Sequence, residues 1–167
     1  RWAEERLPHE IVRHWKEAVA DHLTANPIEA SEWERLEMAE SASRRRQVAL
    51  DPVIAYGATL LSVLVTEFYI LHIQLGDGDI VTVDDSEEAT RPPVPRDERL
   101  IGNETTSLCT REAWRDFRLF FQVLSGSLPA MVLVSTDGFS NSFRDEAAFL
   151  SVGADLLHGI RSEGLEA

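Results

Sequence analysis

The sequence predicts an α+β fold, on three observations. Its character changes near residue 50, from charged segments with helical periodicity to β-branched and aromatic runs about the length of strands. Those runs are apolar on nearly both faces, the pattern of strands covered on each side. The chain then returns to helical spacing at its C-terminal end.

Taken in order, "LPHEIVRHWKEAVADHL" puts Ile11, Trp15, Ala18 and His22 on one helical face, with Val12, Val19 and Leu23 beside them. Pro8 suits a first helical turn, and "TANP" stops the helix. Ser31 followed by Glu34 reads as a capping box, so a second helix is expected to run on towards Arg46. The run Arg44 to Arg46 then falls at a solvated helix end, near the negative pole of the dipole. From Ala55, "AYGATLLSVLV", "EFYILHIQL" and "DIVTVDD" read as three strands of an antiparallel meander. Residues 84 to 106 hold Pro92-Pro93-Val94-Pro95 and many acids, and are expected to form a surface loop beside any site. "TREAWRDFRLFFQVL" has helical spacing through Trp114, Phe117, Phe121 and Leu124. "PAMVLVS" reads as a short buried strand, and "RDEAAFLSVGADLLHGI" as a closing helix carrying Phe149, Leu156, Leu157 and Ile160. No repeat or linker divides the 167 residues, so one domain is expected, helical over 1–50 and sheet-bearing over 51–167.

Composition narrows the function classes. Apolar content of 44% and charged content of 27% are those of an ordinary globular chain. No stretch reaches the roughly 20 apolar residues of a membrane helix, and the first residues do not read as a secretory signal. Cys109 is the single cysteine, which excludes an internal disulfide and makes the cytoplasm the expected compartment. Sixteen basic against 29 acidic residues give a formal charge of −13, which repels nucleic acid and suits cations or basic protein segments.

Two stretches carry candidate chemistry. In "HIQLGDGDIV", Asp77-Gly78 between apolar runs is a two-residue hairpin signal that needs positive φ at both positions. That local explanation uses one aspartate and one glycine, and leaves Gly76 and Asp79 over. In "VLVSTDGFSNSF", an apolar strand runs into Asp137-Gly138, where Asp137 is either a turn or N-cap aspartate or a carboxylate held at a strand end. Hard divalent ions such as Mg²⁺ and Mn²⁺ take carboxylate oxygens, and a site for them needs aspartates brought together from different strands.

"YGATLL", "HIQLGDGDIV", "NETTSL" and "VLVSTDGFSNSF" follow one another in the order and spacing of the metal-dependent protein serine/threonine phosphatases, the PPM or protein phosphatase 2C family. The chain resembles the bacterial branch, well over residues 55 to 150 and loosely over the N-terminal helices. The resemblance implies two packed antiparallel β-sheets flanked by helices, an α-β-β-α sandwich with a metal site at one end. It implies two or three Mn²⁺ or Mg²⁺ ions per complete domain, and a phosphoprotein substrate paired with a serine/threonine kinase. Carried over by position, Asp137 is a metal ligand and Asp77 lies beside it at a further metal, so the two are expected to converge. Gly76, Gly78, Asp79, Gly138 and Asn141 support those loops; no residue is assigned as a catalytic acid or base. Three departures stand out: no Asp-Gly pair precedes Gly57, the family's last Asp-rich motif is absent, and Asn141 replaces the usual second aspartate. The expectation is a domain incomplete at both ends.

Other candidates have plainer explanations. His9, His14 and His22 form no His-Glu-x-x-His pattern. His72, inside an apolar strand, is expected to be a satisfied buried residue, and His158 to lie on a helix surface. Ser135, Ser140 and Ser142 have no nucleophile elbow around them. Cys109 reads as core. The expected activity is dephosphorylation of phosphoserine and phosphothreonine in proteins by a metal-activated water. The rival is a catalytically inactive interaction module of the same fold.

Overall fold

Pro8 sits in the first turn of a 19-residue helix, where its missing N–H costs nothing. In the computed structural model, which describes residues 2–95, 97 and 105–164, this helix is α2, Leu7–Ala25, after a short α1, Trp2–Glu5. The chain forms two compact units, Arg1–Ala58 with Thr106–Phe117 and Thr59–Thr105 with Arg118–Ala167.

In the first unit, α2 buries Pro8, Val12 and Val19, with Trp15 half-buried between them, while Ala18 and His22 are exposed. The apolar stripe therefore lies a residue away from the face expected. The second helix is two helices, α3 (Ala30–Ala39) and α4 (Ala42–Leu50). Glu29 and Glu32 make the capping box of α3 in place of Ser31 and Glu34. Ser41 breaks the run, because its hydroxyl accepts from the Arg44 N–H at 3.1 Å and opens α4. Arg44 to Arg46 thus occupy the beginning of α4, not a helix end, and all three are exposed. A short 3-10 turn, Pro52–Tyr56, follows, and Tyr56 bonds His22 Nδ1 at 2.9 Å. Residues 106–117 return to this unit, where Trp114 stacks on His9 with centroids 4.0 Å apart.

The second unit carries two three-stranded antiparallel sheets. One has β1 (Leu60–Val65), β2 (Tyr69–Leu75) and β5 (Arg118–Val123), with β2 in the centre. The other has β4 (Ala89–Thr90), β3 (Asp79–Val83) and β6 (Met131–Ser135), with β3 in the centre. The expected meander is therefore wrong at one joint: β2 and β3 follow each other in sequence but belong to different sheets. The helix expected through Trp114, Phe117, Phe121 and Leu124 is also overturned. It is a 3-10 turn at Ala113–Arg115 followed by β5. The open edge of β2 offers backbone partners to an aromatic run, and register with His72 and Leu71 sets Phe120 and Phe121 on opposite faces. Coverage of both faces holds for β2 but not for β1, whose Leu64 and Val65 are exposed. Strand β6 is half-buried, with Val134 exposed, rather than fully buried.

Helix α5 (Asp137–Ser140) follows β6, and α6 (Glu146–Glu163) packs on the second sheet. Asp145 caps α6 by accepting from the Ala148 N–H at 2.9 Å. Phe149, Gly153 and Leu157, spaced by four, form the buried stripe, whereas Leu156 is exposed. Gly153 allows close packing there, since a Cβ would meet Val83 Cγ2 tightly, at 3.0 Å. Phe149 and Leu157 close a core with Val81 and Val83.

The loop after β3 is organised by Asp84, whose Oδ1 accepts from the N–H groups of Ser86 and Glu88. Among the described residues, 91–95 and 97 are irregular, with no helix. Residues 96 and 98–104, including Asn103 and Glu104 of "NETTSL", lie outside the described residues.

His72 is fully buried, its ring stacked on Phe120 with centroids 5.8 Å apart. It is not the satisfied residue expected, because among the described residues neither ring nitrogen has a partner in hydrogen-bond geometry. Burial pushes its pKa below 6.5, and the nearby Gln122 amide opposes this only in part. The folded chain therefore refuses a proton that the unfolded chain accepts. This contribution to stability is complete above the ordinary imidazole pKa and is lost as pH falls below it. The urea midpoint is expected to fall more between pH 8 and pH 5 for the wild type than for His72→Leu, which has no proton to gain. Equal falls would show that His72 does not carry the dependence.

Candidate functional site

The step from one sheet to the other is made by Gly76-Asp77-Gly78-Asp79, and each position has a separate reason. Gly76 has φ of 100°, and a Cβ there would lie 2.6 Å from Thr59 Cβ. Gly78 has no positive φ, but a Cβ would come within 2.7 Å of the Ser135 carbonyl oxygen and run into Leu61. Asp77 has no positive φ either, so the turn is not the two-residue hairpin that Asp77-Gly78 signals. Side chains hold the turn's carbonyls: the Gln74 amide donates to Gly78 O and Arg118 Nη2 to Gly76 O. Asp79 opens β3 and is buried, its Oδ1 accepting from Arg91 Nη1 while Oδ2 has no hydrogen-bond partner among the described residues.

The second corner ends β6. Asp137 is the first residue of α5, after Thr136 at the N-cap, so it is not itself the cap. Its Oδ2 accepts from Asn141 Nδ2 at 3.4 Å, and its carbonyl accepts from the Asn141 N–H at 2.9 Å. A Cβ at Gly138 would meet only Thr136 Oγ1, at 3.9 Å.

Pairing of Asp79 with Ser135 brings the corners together. Asp77 stands two residues before that pair and Asp137 two residues after it on the antiparallel partner. Both therefore sit at one end of the second sheet, although 60 residues separate them in sequence. A cavity of about 780 Å³ opens at this end. Asp77, Gly78, Asp79 and Asn141 line it; Gly76, Asp137 and Gly138 are not among its lining residues. Pro92, Pro93 and Val94 form one wall, as expected of the proline-rich loop, and Ser140, Phe143 and Phe149 another.

The sequence reading missed the charged side chains of this cavity: Arg91, Arg118, Asp145 and Glu146. Arg91 Nε donates to Glu146 Oε1 at 3.0 Å, and Arg118 Nη1 to Pro95 O at 3.3 Å. The Ala148 N–H and then Arg144 hold the Asp145 carboxyl below the ordinary carboxylate pKa. No periodicity marks these residues, since they come from a loop, a strand and a helix start.

Two adjacent divalent ions need several carboxylate ligands with fixed geometry. Among the described residues, no group of three or more His, Cys, Asp or Glu side chains is placed to hold a metal ion. Asp79 is engaged by Arg91 and Asp137 by Asn141. The donor set of the described residues does not fit a two-metal centre. Of the residues set aside in the sequence, His158 is exposed, and Cys109 is half-buried with Sγ 3.3 Å from Ser107 Oγ.

No helix among the described residues is long and apolar enough to cross a membrane. Neither curated proteins nor solved structures gave a match to the chain. The family profile described as protein phosphatase 2C matches residues 2–167, nearly the whole sequence. With its two antiparallel sheets and paired Asp-Gly corners, the chain belongs to the protein phosphatase 2C family.

Proposed function

We propose that residues 1–167 are a phosphatase-type domain for phosphoserine and phosphothreonine in proteins, acting opposite a serine/threonine kinase in the cytoplasm. Asp77 and Asp137 are its contribution to a Mn²⁺ or Mg²⁺ site, with Gly76, Gly78, Asp79, Gly138 and Asn141 shaping the two corners. The observation that carries this reading is the β3–β6 register, which sets both Asp-Gly corners at one sheet end beside the cavity in a chain of this family. Fixed ligand geometry is what a metal-activated water requires, and two corner aspartates alone do not provide it. The chain by itself is therefore proposed to have little or no turnover.

The shortage of ligands among the described residues also favours a second reading, an inactive interaction module with the same fold. Hydrolysis of an aryl phosphate with Mn²⁺ separates the two. The 167-residue chain is expected to show no turnover above background. The longest natural form of the protein is expected to show Mn²⁺-dependent turnover, lost in its Asp137→Ala variant. Brisk turnover by the chain alone would show that other residues bind the metal, and an inactive longest form would favour the interaction module.

A further inference from the structure

We propose that Arg91 is an oxyanion-recognising side chain of the cavity, held in reserve by Glu146, and that its ligand is a phosphate monoester. The identity of the anion rests on the phosphatase reading; the availability of the guanidinium rests on geometry alone. Arg91 begins the proline-rich wall and lines the cavity. Its Nη1 donates to Asp79 and its Nε to Glu146. Nη2, with two N–H groups, has no acceptor among the described residues. The guanidinium carbon lies 5.1 Å from the centroid of the Phe149 ring, which backs the planar group and fixes its orientation.

A phosphate takes a guanidinium through two neighbouring donors. On Arg91 those are Nη2 with either Nη1 or Nε. The Nη1 partner, Asp79, is buried, its side chain only 10% exposed, whereas the Nε partner, Glu146, is 63% exposed. An exposed ion pair is held weakly, so an incoming phosphate displaces Glu146 and takes Nε with Nη2, while Asp79 keeps the arginine in place. Arg118 is not equivalent, because its Nη1 and Nη2 are spent on the carbonyls of Pro95 and Gly76 and hold wall and turn together.

Phenyl phosphate titrated into the 167-residue chain tests this, with the Arg91 Nε–Hε resonance as the readout. Saturable weak binding that shifts this resonance is expected in the wild type. Glu146→Gln removes the competitor and is expected to tighten binding by about two- to fivefold, the scale of an exposed ion pair. Arg91→Lys loses the paired donors and is expected to weaken binding by about tenfold or more. The gain from Glu146→Gln should disappear in the Arg91→Lys background. Asp145→Asn makes the same charge change in the same cavity and preserves a good helix cap, so it should gain little. Amide spectra of Arg91→Lys and Arg91→Gln confirm that a loss is not unfolding. The proposal is overturned by an unshifted Arg91 resonance, by a gain from Glu146→Gln that survives in Arg91→Lys, or by an equal gain from Asp145→Asn. None of these readouts needs turnover. An inactive longest form would count against the phosphatase reading alone, and an unshifted Arg91 against this inference alone.

Discussion

Phe149→Ala is expected to lower the unfolding free energy by about 3–5 kcal/mol, the usual cost of emptying a buried aromatic site. Phe149 is 1% exposed and belongs to the buried cluster formed with Val81, Val83 and Leu157. Its ring also packs edge-on against Phe139, at 6.1 Å, and lies 5.8 Å from Phe143, so truncation undoes contacts at both the sheet and the second corner. A helix fixed at each side of the gap cannot easily collapse into it. Urea unfolding checks this through the midpoint at unchanged slope, and Phe149→Leu should lose markedly less. A loss below about 1 kcal/mol for the alanine variant would mean that α6 is not the lid of this core.

Gly78→Ala is expected to be far more damaging than the same methyl added at the second Asp-Gly corner. The added Cβ would sit 2.7 Å from the Ser135 carbonyl oxygen, a backbone atom that can move only if β6 moves. Overpacking of that kind costs about 1–3 kcal/mol. It also pushes the end of β6 away from β3, and with it Asp137. Amide shifts reaching from Ser135 to Gly138, together with a lowered midpoint, are the expected signature. Gly138→Ala is the control: its Cβ has nearly open space within a helical turn, so a change within about 0.5 kcal/mol is expected. Similar losses in the two variants would show that the corners are not sterically distinct.

Much of the site was legible because aspartate and glycine at strand ends are dictated by local chemistry. The sequence reading found both Asp-Gly corners, the proline-rich wall, β1, β2, β3, β6 and the closing helix. It misread three features for a common reason. The apolar spacing around Phe120 fits a helix and a strand alike, and only the free edge of β2 decides between them. Ser31 with Glu34 has the spacing of a capping box, but Glu29 with Glu32 caps α3, and Ser41 divides the single helix expected by opening α4. Asp77-Gly78 has the composition of a hairpin, yet Gly76 is the residue with positive φ, because the chain is changing sheets rather than folding back. The charged side chains of the cavity left no pattern to read.

The sequence by itself determined the α+β class, the acidic balance, the two corner aspartates and their glycines, and a last helix carrying Phe149 and Leu157. These follow from local propensity, from side-chain volume and from the periods of helix and strand, all of which act between near neighbours. The tertiary structure alone decided that β2 and β3 lie in different sheets, and that Asp79 pairs with Ser135 and so brings Asp77 and Asp137 to one end. It alone set Arg91 between Asp79 and Glu146. Each of these is a contact between residues far apart in the chain, fixed by strand register and by the burial of charge, and no local pattern in the sequence encodes such a pairing.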